Sequence, residues 1–307
     1  MNDEKTLRPA LCARGVCKSY GKLQVLKDLD LTIEPGCIYG LIGRNGAGKT
    51  TLMSILTGQN TMDAGSVTYG DAPVWENRRA LRELCFSREL MSTSATSATG
   101  QAALKVKNYL DAARIFYPAW DEAYAQRLLE KFGLDCGKKI GKLSKGQLSM
   151  VTITVALASC AAVTILDEPV AGLDVVAREQ FYRLLLDDYA RTQRTFVIST
   201  HIIEEASRVF ERVVILDEGK IIADAPTDEL IDGFRYVSGP DEAVTAALAR
   251  TGAAALETQM LGRHRMTAVR GDAALFAALA QDPALDLAPM NLQNVFVALC
   301  GHGDAEV

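Results

Sequence analysis

Residues 36–51, Gly36-Cys-Ile-Tyr-Gly-Leu-Ile-Gly43-Arg-Asn-Gly46-Ala-Gly48-Lys49-Thr50-Thr51, place a glycine-rich turn between an apolar run and a helix-forming segment. Successive N–H groups of such a turn, with the first amides of a helix, can satisfy several phosphate oxygens at once. The bare pattern would arise by chance in about one chain in a hundred, but its context favours a P-loop. Lys49 is then expected at the β- and γ-phosphates and Thr50 at Mg²⁺. The residues predicted to bind nucleotide are Gly43, Arg44, Asn45, Gly46, Ala47, Gly48, Lys49, Thr50 and Thr51.

The composition is that of a soluble globular protein with room for one large core, or for a core and a smaller domain. The chain has 307 residues, of which 49% are hydrophobic, and a formal net charge of -5. We expect no nucleic-acid partner, because phosphate backbones are bound by basic surfaces. The seven cysteines include no C-x-x-C pair, which predicts reduced core residues in the cytosol and neither a disulfide framework nor a zinc site. The charged N-terminus lacks the apolar run of a signal peptide.

Hydrophobic periodicity predicts two β-rich halves around a helical insert. Alternating apolar residues at 23–33 predict antiparallel strands ahead of the P-loop. Residues 91–103 have no periodicity and predict a loop. Lys105 to Phe116 and Asp121 to Phe132 have helical spacing, the second with Asp121 as N-cap and Gly133 as its end.

A second chemical motif follows the apolar strand in Val163-Thr-Ile-Leu-Asp167-Glu168-Pro169. Two acids at the end of a buried strand are costly without partners, and their order predicts that Asp167 holds Mg²⁺ while Glu168 polarises water. A parallel strand, 195–199, is expected to end beside His201, although a lone histidine is usually structural. Residues 146–166 are uncharged and long enough to cross a bilayer, but their polar residues favour a helix followed by a strand.

The sequence pattern after residue 232 predicts a small α+β domain, to which we assign no catalytic or ligand-binding residues. It follows a hairpin predicted at 213–222 with a glycine turn. Helix-like runs at 242–250 and 272–280 alternate with a strand-like run at 265–270, and a last helix is expected at 292–299.

The order and spacing of these motifs resemble the ATP-binding subunits of ABC transporters over residues 10–232. The resemblance implies an α/β fold: a RecA-like P-loop NTPase core with an antiparallel β-subdomain and an all-helical insert at about 87–160, forming a cassette of residues 1–232, then a small α+β domain at 233–307. It implies ATP and Mg²⁺ as cofactors. The further site residues that it implies are Tyr20 as the A-loop aromatic, Ser144, Gly146 and Gln147 of the signature, Asp174 as the D-loop acid and His201 as the switch histidine.

Two positions depart from the family pattern. The signature has Lys145 where the commonest form has glycine, a position that tolerates variation because the flanking serine and glycine backbone contact the γ-phosphate. The Q-loop usually carries glutamine, whereas Leu84-Cys-Phe-Ser-Arg-Glu89-Leu offers Glu89 at the expected offset. Glutamate can ligate Mg²⁺, and the preceding strand would deliver it near Asp167. We therefore interpret Glu89 as a metal ligand and catalytic residue; the alternative is a surface charge on a loop.

The resemblance also implies partners. In the family, ATP lies between the P-loop of one copy and the signature of another, which implies a dimer of ATPase domains. The leading hypothesis is an ATPase subunit, cytoplasmic and peripheral on the inner face of the cell membrane, that powers a separate integral membrane permease; the linker and tail favour export. The membrane subunit would choose the transported substrate.

Two other functions could use the same nucleotide motifs. The first is a soluble ABC ATPase acting on ribosomes or DNA, which the single cassette, the lack of sustained heptads and the acidic balance disfavour. The second is a regulator that binds nucleotide without turnover, and the presence of both Glu168 and His201 argues against it.

Overall fold

The computed structural model describes residues 8–90 and 101–301. The strands in these ranges are β1 (Leu11–Tyr20), β2 (Leu23–Ile33), β3 (Ile38–Ile42), β4 (Ala64–Tyr69), β5 (Ala72–Pro73), β6 (Leu84–Ser87), β7 (Val163–Asp167), β8 (Thr195–Ser199), β9 (Arg212–Asp217), β10 (Lys220–Pro226), β11 (Phe234–Pro240), β12 (Ala255–Leu261), β13 (His264–Arg270) and β14 (Asp286–Pro289). The helices are α1 (Lys49–Leu56), α2 (Arg78–Arg82), α3 (Val106–Phe116), α4 (Glu122–Phe132), α5 (Lys145–Ala158), α6 (Val175–Thr192), α7 (Ile203–Ala206), α8 (Thr227–Asp232), α9 (Asp241–Thr251), α10 (Ala273–Leu279) and α11 (Leu292–Cys300).

The central sheet brings the nucleotide motifs to one edge. Its strand order is β10-β9-β3-β8-β7-β6, with β10 antiparallel to β9 and the other pairs parallel. Strands β3 and β8 are buried along their whole length, as expected of parallel strands covered on both faces. The turn after β3, the acids after β7 and the segment after β8 therefore meet at the carboxyl edge of the sheet.

The antiparallel strands predicted ahead of the P-loop are confirmed. Strands β1 and β2 pair from Leu11 opposite Ile33 to Tyr20 opposite Leu23, in a sheet of order β2-β1-β4-β5. Leu52 of α1 lies in one buried cluster with side chains of β1, β2 and β3. The helix that continues from the P-loop is therefore anchored against both sheets.

The predicted helices of the insert are confirmed. Asp121 accepts a hydrogen bond from the Tyr124 amide at 2.8 Å, and Gly133 ends α4 in the left-handed conformation, so both predicted caps are present. Side chains of α3, α4 and α5 share one cluster, which Leu90 joins just after β6. The loop predicted at 91–103 lies mostly outside the described residues, and its last part, Gln101–Ala103, is a 3-10 turn.

Helix α5 and strand β7 occupy the uncharged run that imitates a membrane span, as predicted. Across residues 8–90 and 101–301, no helix combines the length and the apolar character that crossing a bilayer requires.

A buried arginine fixes the C-terminal end of α5. The side chain of Arg194 is 1% exposed, and its Nε donates to Asp188 Oδ2 at 2.7 Å while Nη2 donates to the Leu157 carbonyl at 2.8 Å. The guanidinium also lies 4.9 Å from the centre of the Phe196 ring. Because the last carbonyls of a helix have no partner within it, this arginine both satisfies α5 and joins it to α6 and β8.

The tail forms a third, antiparallel sheet of order β12-β13-β11-β14. The predicted helices and strand correspond to α9, α10, α11 and β13. Helices α9 and α10 share a small cluster with the sheet. Phe234, Ala268 and the buried side chains of α11 belong instead to the cluster that also contains Phe181 of α6 and Ile198 of β8. The tail therefore has a core of its own and a second one that it shares.

The prediction that the cysteines are core residues is confirmed for Cys85 and Cys300, whereas Cys37 and Cys136 only pack against core clusters and Cys12, Cys17 and Cys160 lie outside them. All seven are free, but Cys85 and Cys300 alone are buried and the others are partly exposed. Cys12 and Cys17, for example, lie on β1, which is not covered along both faces.

Candidate nucleotide-binding and hydrolysis site

The P-loop runs from the end of β3 to the start of α1 and requires glycine at two positions. A Cβ on Gly43 would lie 2.3 Å from the Leu216 carbonyl oxygen, so a side chain there would displace the backbone of β9. Gly48 has a φ of 106°, a conformation that other residues rarely adopt. It is the N-cap of α1, which has neither a side-chain cap nor an acidic residue in its first turn. The loop thus presents a helix N-terminus suited to an anion.

Lys49 is held inside the loop. Its Nζ donates to the carbonyls of Gly43 at 2.6 Å and Arg44 at 3.2 Å. Burial lowers the pKa of Lys49, and the nearby Glu168 and Asp167 carboxylates oppose that shift. A partly desolvated ammonium beside the first backbone amides of α1 is a donor set that fits a triphosphate, because each phosphate oxygen is an acceptor.

Two of the three predicted metal ligands are in contact. Thr50 Oγ1 donates to Asp167 Oδ2 at 2.7 Å. Ser199 Oγ donates to Asp167 Oδ1 at 2.6 Å, a role that the sequence analysis missed. The available signal was the position of Ser199 at the end of β8, where the register pairs it with Asp167. The hydroxyl and carboxylate oxygens of Thr50 and Asp167 are the hard ligands that Mg²⁺ prefers.

Glu168 and His201 form the second cluster at this edge. His201 Nδ1 lies 2.7 Å from Glu168 Oε2, and the Glu168 amide donates to the Ser199 carbonyl at 3.2 Å. The φ of Glu168 is 49°, an unusual value for a residue with a side chain. Such strain persists only where the surroundings impose it, and here Ser199 holds the backbone of Glu168 while His201 holds its carboxylate.

Tyr20 stands at the end of β1 with an exposed ring. Its hydroxyl accepts a hydrogen bond from Asn60 Nδ2 at 2.6 Å, and the ammonium of Lys18 lies 5.5 Å from the ring centre. Tyr20 is 51% exposed, so Asn60 restrains its side chain while part of the side chain remains accessible. This arrangement can stack on a purine base.

The signature segment begins α5. Ser144 Oγ accepts a hydrogen bond from the Gln147 amide, and Gln147 Oε1 accepts one from the Ser144 amide, both at 3.2 Å, which is a capping box. A Cβ on Gly146 would lie 2.7 Å from the Gly172 carbonyl oxygen. Asp174 caps α6 by accepting from the Ala177 amide at 2.8 Å. Ser144, Gln147 and Asp174 therefore have local structural roles in the single chain.

Glu89, the third predicted metal ligand, contacts a lysine. Its Oε1 lies 3.1 Å from Nζ of Lys145, and both side chains are about half exposed, at 45% and 58%. The structure thus brings Thr50 and Asp167 together and joins Glu89 to the signature helix. A role of Glu89 in Mg²⁺ binding stays a prediction.

The fold and this site define a P-loop nucleotide-binding cassette. A family described as ABC transporter matches residues 26–171. The Nod factor export ATP-binding protein I of Burkholderia orbicola is 32% identical over 300 residues, which cover 94% of this chain and 96% of that protein. The aliphatic sulfonates import ATP-binding protein SsuB 2 of Xanthomonas axonopodis pv. citri is 32% identical over 213 residues, 69% of each chain. The solved structure described as the dimeric structure of MJ0796, a bacterial ABC transporter cassette, has a TM-score of 0.59 at 22% identity and covers 70% of this chain and 98% of that one.

The chain belongs to the family of ABC transporter ATP-binding proteins. It is an ATP-binding and ATP-hydrolysing cassette.

Proposed function

We propose that this chain powers a separate membrane subunit of an exporter. The proposed direction of transport, export, rests on how much of the chain each relative matches. The match to the Nod factor export protein covers 94% of the chain, whereas the match to the sulfonate import protein covers 69%. A match over 94% of the chain must include most of the tail as well as the ATPase core, so the similarity to the export protein extends to the tail.

The hydrolysis chemistry follows from the two clusters at the sheet edge. Thr50 and Asp167 would hold Mg²⁺, which when bound would offset the negative charge of the phosphates. Lys49 donates to the phosphate oxygens, and Glu168 orients the attacking water and accepts its proton. His201, at 2.7 Å from Glu168 Oε2, keeps that carboxylate in place.

The active unit is a dimer in this proposal. The signature segment is exposed at Ser144 and Lys145, and it lies on the insert rather than on the central sheet. A second copy would bring its own signature to the P-loop of the first, and the dimeric state of the similar MJ0796 cassette supports this arrangement. The protein would then be cytoplasmic and peripheral on the inner face of the cell membrane, held there by the permease.

A groove between α2 and α3 fits the membrane partner. It has a volume of about 530 Å³ and is lined by Glu76, Arg78, Leu81, Arg82, Ala112, Ile115 and Phe116. Ile115 is 82% exposed and Phe116 is 51% exposed, while two arginines and one glutamate supply the charges of the lining. The occupant we propose is a short amphipathic segment of the permease, with apolar residues against α3 and acidic residues against Arg78 and Arg82.

The test is recovery of the complex from membranes with a tag on this chain. We expect an integral membrane protein in comparable amount, and we expect Ile115→Asp to release it without changing the ATPase rate of the isolated chain. Leu261→Asp is the matched control, because Leu261 is an equally apolar side chain, 70% exposed, on the tail. Recovery of ribosomes or DNA would support the soluble ABC ATPase instead.

A further inference from the structure

We propose that Lys145 is a positioning residue that, through its ion pair with Glu89, sets where the signature serine stands relative to the P-loop core. This inference rests on the proposed ATPase function. The Nζ–Oε1 distance is 3.1 Å. The two partners are also the two positions at which the sequence departs from the pattern it resembles, and a glycine and a glutamine there could not form this pair.

The aliphatic part of the Lys145 side chain is also held in place, in addition to its ammonium group. A Cβ on Gly172 would lie 2.6 Å from Lys145 Cγ, so the lysine stem runs directly over this glycine. Gly172 follows Asp167 and Glu168 in the turn after β7 and has a φ of 76°. Lys145 therefore contacts two segments besides its own: the turn after β7 and the segment after β6 that carries Glu89.

The charge of Lys145 is more favourable with a negative partner at this position. A cation in the first turn of a helix is unfavourable, because the helix dipole is positive there. Helix α5 has no acidic residue in its first turn, and Glu89 supplies the negative charge from another part of the chain. Since Ser144 is the N-cap directly before Lys145, the contact that holds Lys145 also holds Ser144.

The Lys145–Glu89 ion pair can contribute only a small free energy. With side chains 58% and 45% exposed, it is a surface ion pair that biases an equilibrium by about five-fold at most and is screened by salt. It cannot determine whether the chain folds. It can determine how often the N-terminus of α5 occupies the orientation that a partner's nucleotide requires.

The experiment compares Lys145→Met, which keeps the stem, with Glu89→Gln and with the double variant. Lys142→Met, at a lysine three residues earlier, is the matched control. In the nucleotide-free chain, hydrogen exchange of residues 144–148 should rise about two- to five-fold in each single variant and no further in the double variant. High salt should raise exchange in the parent and leave Lys145→Met unchanged.

The kinetic readout separates positioning from binding. Lys145→Met should lower kcat about two- to five-fold and leave KM for ATP within about two-fold, and Glu89→Gln/Lys145→Met should lose no more turnover than Glu89→Gln alone. Additive losses would overturn the proposal, and so would a lower kcat without faster exchange, because the lysine would then act on nucleotide directly. An absence of ATP hydrolysis in the parent would refute the proposed function, whereas the exchange comparison would still test the pair.

Discussion

The two parts of the candidate site are built differently. At the edge of the central sheet, short hydrogen bonds of 2.6 to 2.7 Å already join Thr50, Asp167 and Ser199. At the signature, an exposed capping box and a half-exposed ion pair form the N-terminus of a helix. The sheet edge is thus assembled within one chain, whereas the signature is an exposed helix N-terminus that would meet a second copy in the proposed dimer. We expect substitutions at the sheet edge to abolish chemistry and substitutions at the signature to tune it.

The largest expected effect is that of Glu168→Gln at the sheet edge. Loss of a general base costs about 10² to 10⁴ in rate, so steady-state ATP hydrolysis should nearly cease. Nucleotide binding should persist, because Tyr20 and Lys49 are unchanged, and an ATP-bound dimer should accumulate. Size-exclusion chromatography with ATP and a phosphate-release assay measure the two outcomes. Turnover equal to that of the parent would show that Glu168 is not the base.

The second effect concerns the far end of the signature helix. Arg194→Met leaves the buried carboxylate of Asp188 without its main partner and should lower the free energy of unfolding by about 3–5 kcal/mol. Arg191→Met is the matched control, because Arg191 is 53% exposed and contacts the other oxygen of Asp188 at 3.0 Å. Its cost should stay within about 1 kcal/mol. Urea unfolding of both variants tests this, and equal costs would mean that burial of Arg194 adds nothing.

Local motifs allowed the sequence to predict most of the sheet edge. A short, mostly apolar strand followed by two acids, or by glycines and lysine, has few structural alternatives, so strands β3, β7 and β8 and the position of the residues that follow them were predictable. The contacts of Ser199 and Arg194 were not, since each depends on which strands become neighbours. The Glu89–Lys145 pair depends in the same way on how the insert folds back on the core. The shared core of the tail was also missed, because an Ala-rich helix pattern does not show which surface it packs on.

A smaller effect is expected at Gly146, in the signature. A Cβ there would lie 2.7 Å from the backbone oxygen of Gly172, so Gly146→Ala must push α5 away from the turn that follows β7. Overpacking of this kind costs about 1–3 kcal/mol, and turnover should fall while nucleotide affinity is retained. Gly233→Ala is the control, because its Cβ would meet its nearest atoms at 3.5 Å. If the two variants have the same melting temperature and the same ATPase rate, the close approach at Gly146 contributes neither to stability nor to turnover.

The smallest effect is expected for Glu89→Ala, which tests whether this residue belongs to the sheet edge or to the signature. If Glu89 assists Mg²⁺, the variant should bind ATP as the parent does, hydrolyse it more slowly and require more Mg²⁺ for half-maximal rate. If its role is confined to Lys145, the rate should fall by no more than about five-fold at every Mg²⁺ concentration. ATPase rates against Mg²⁺ for Glu89→Ala and Glu89→Gln separate these cases, because glutamine retains an oxygen ligand and loses the charge. An alanine variant that matches the parent throughout would make Glu89 a bystander. The Q-loop contact would then be sought at Arg88, since the hydroxyl of Ser87 already donates to the Thr152 carbonyl at 3.0 Å.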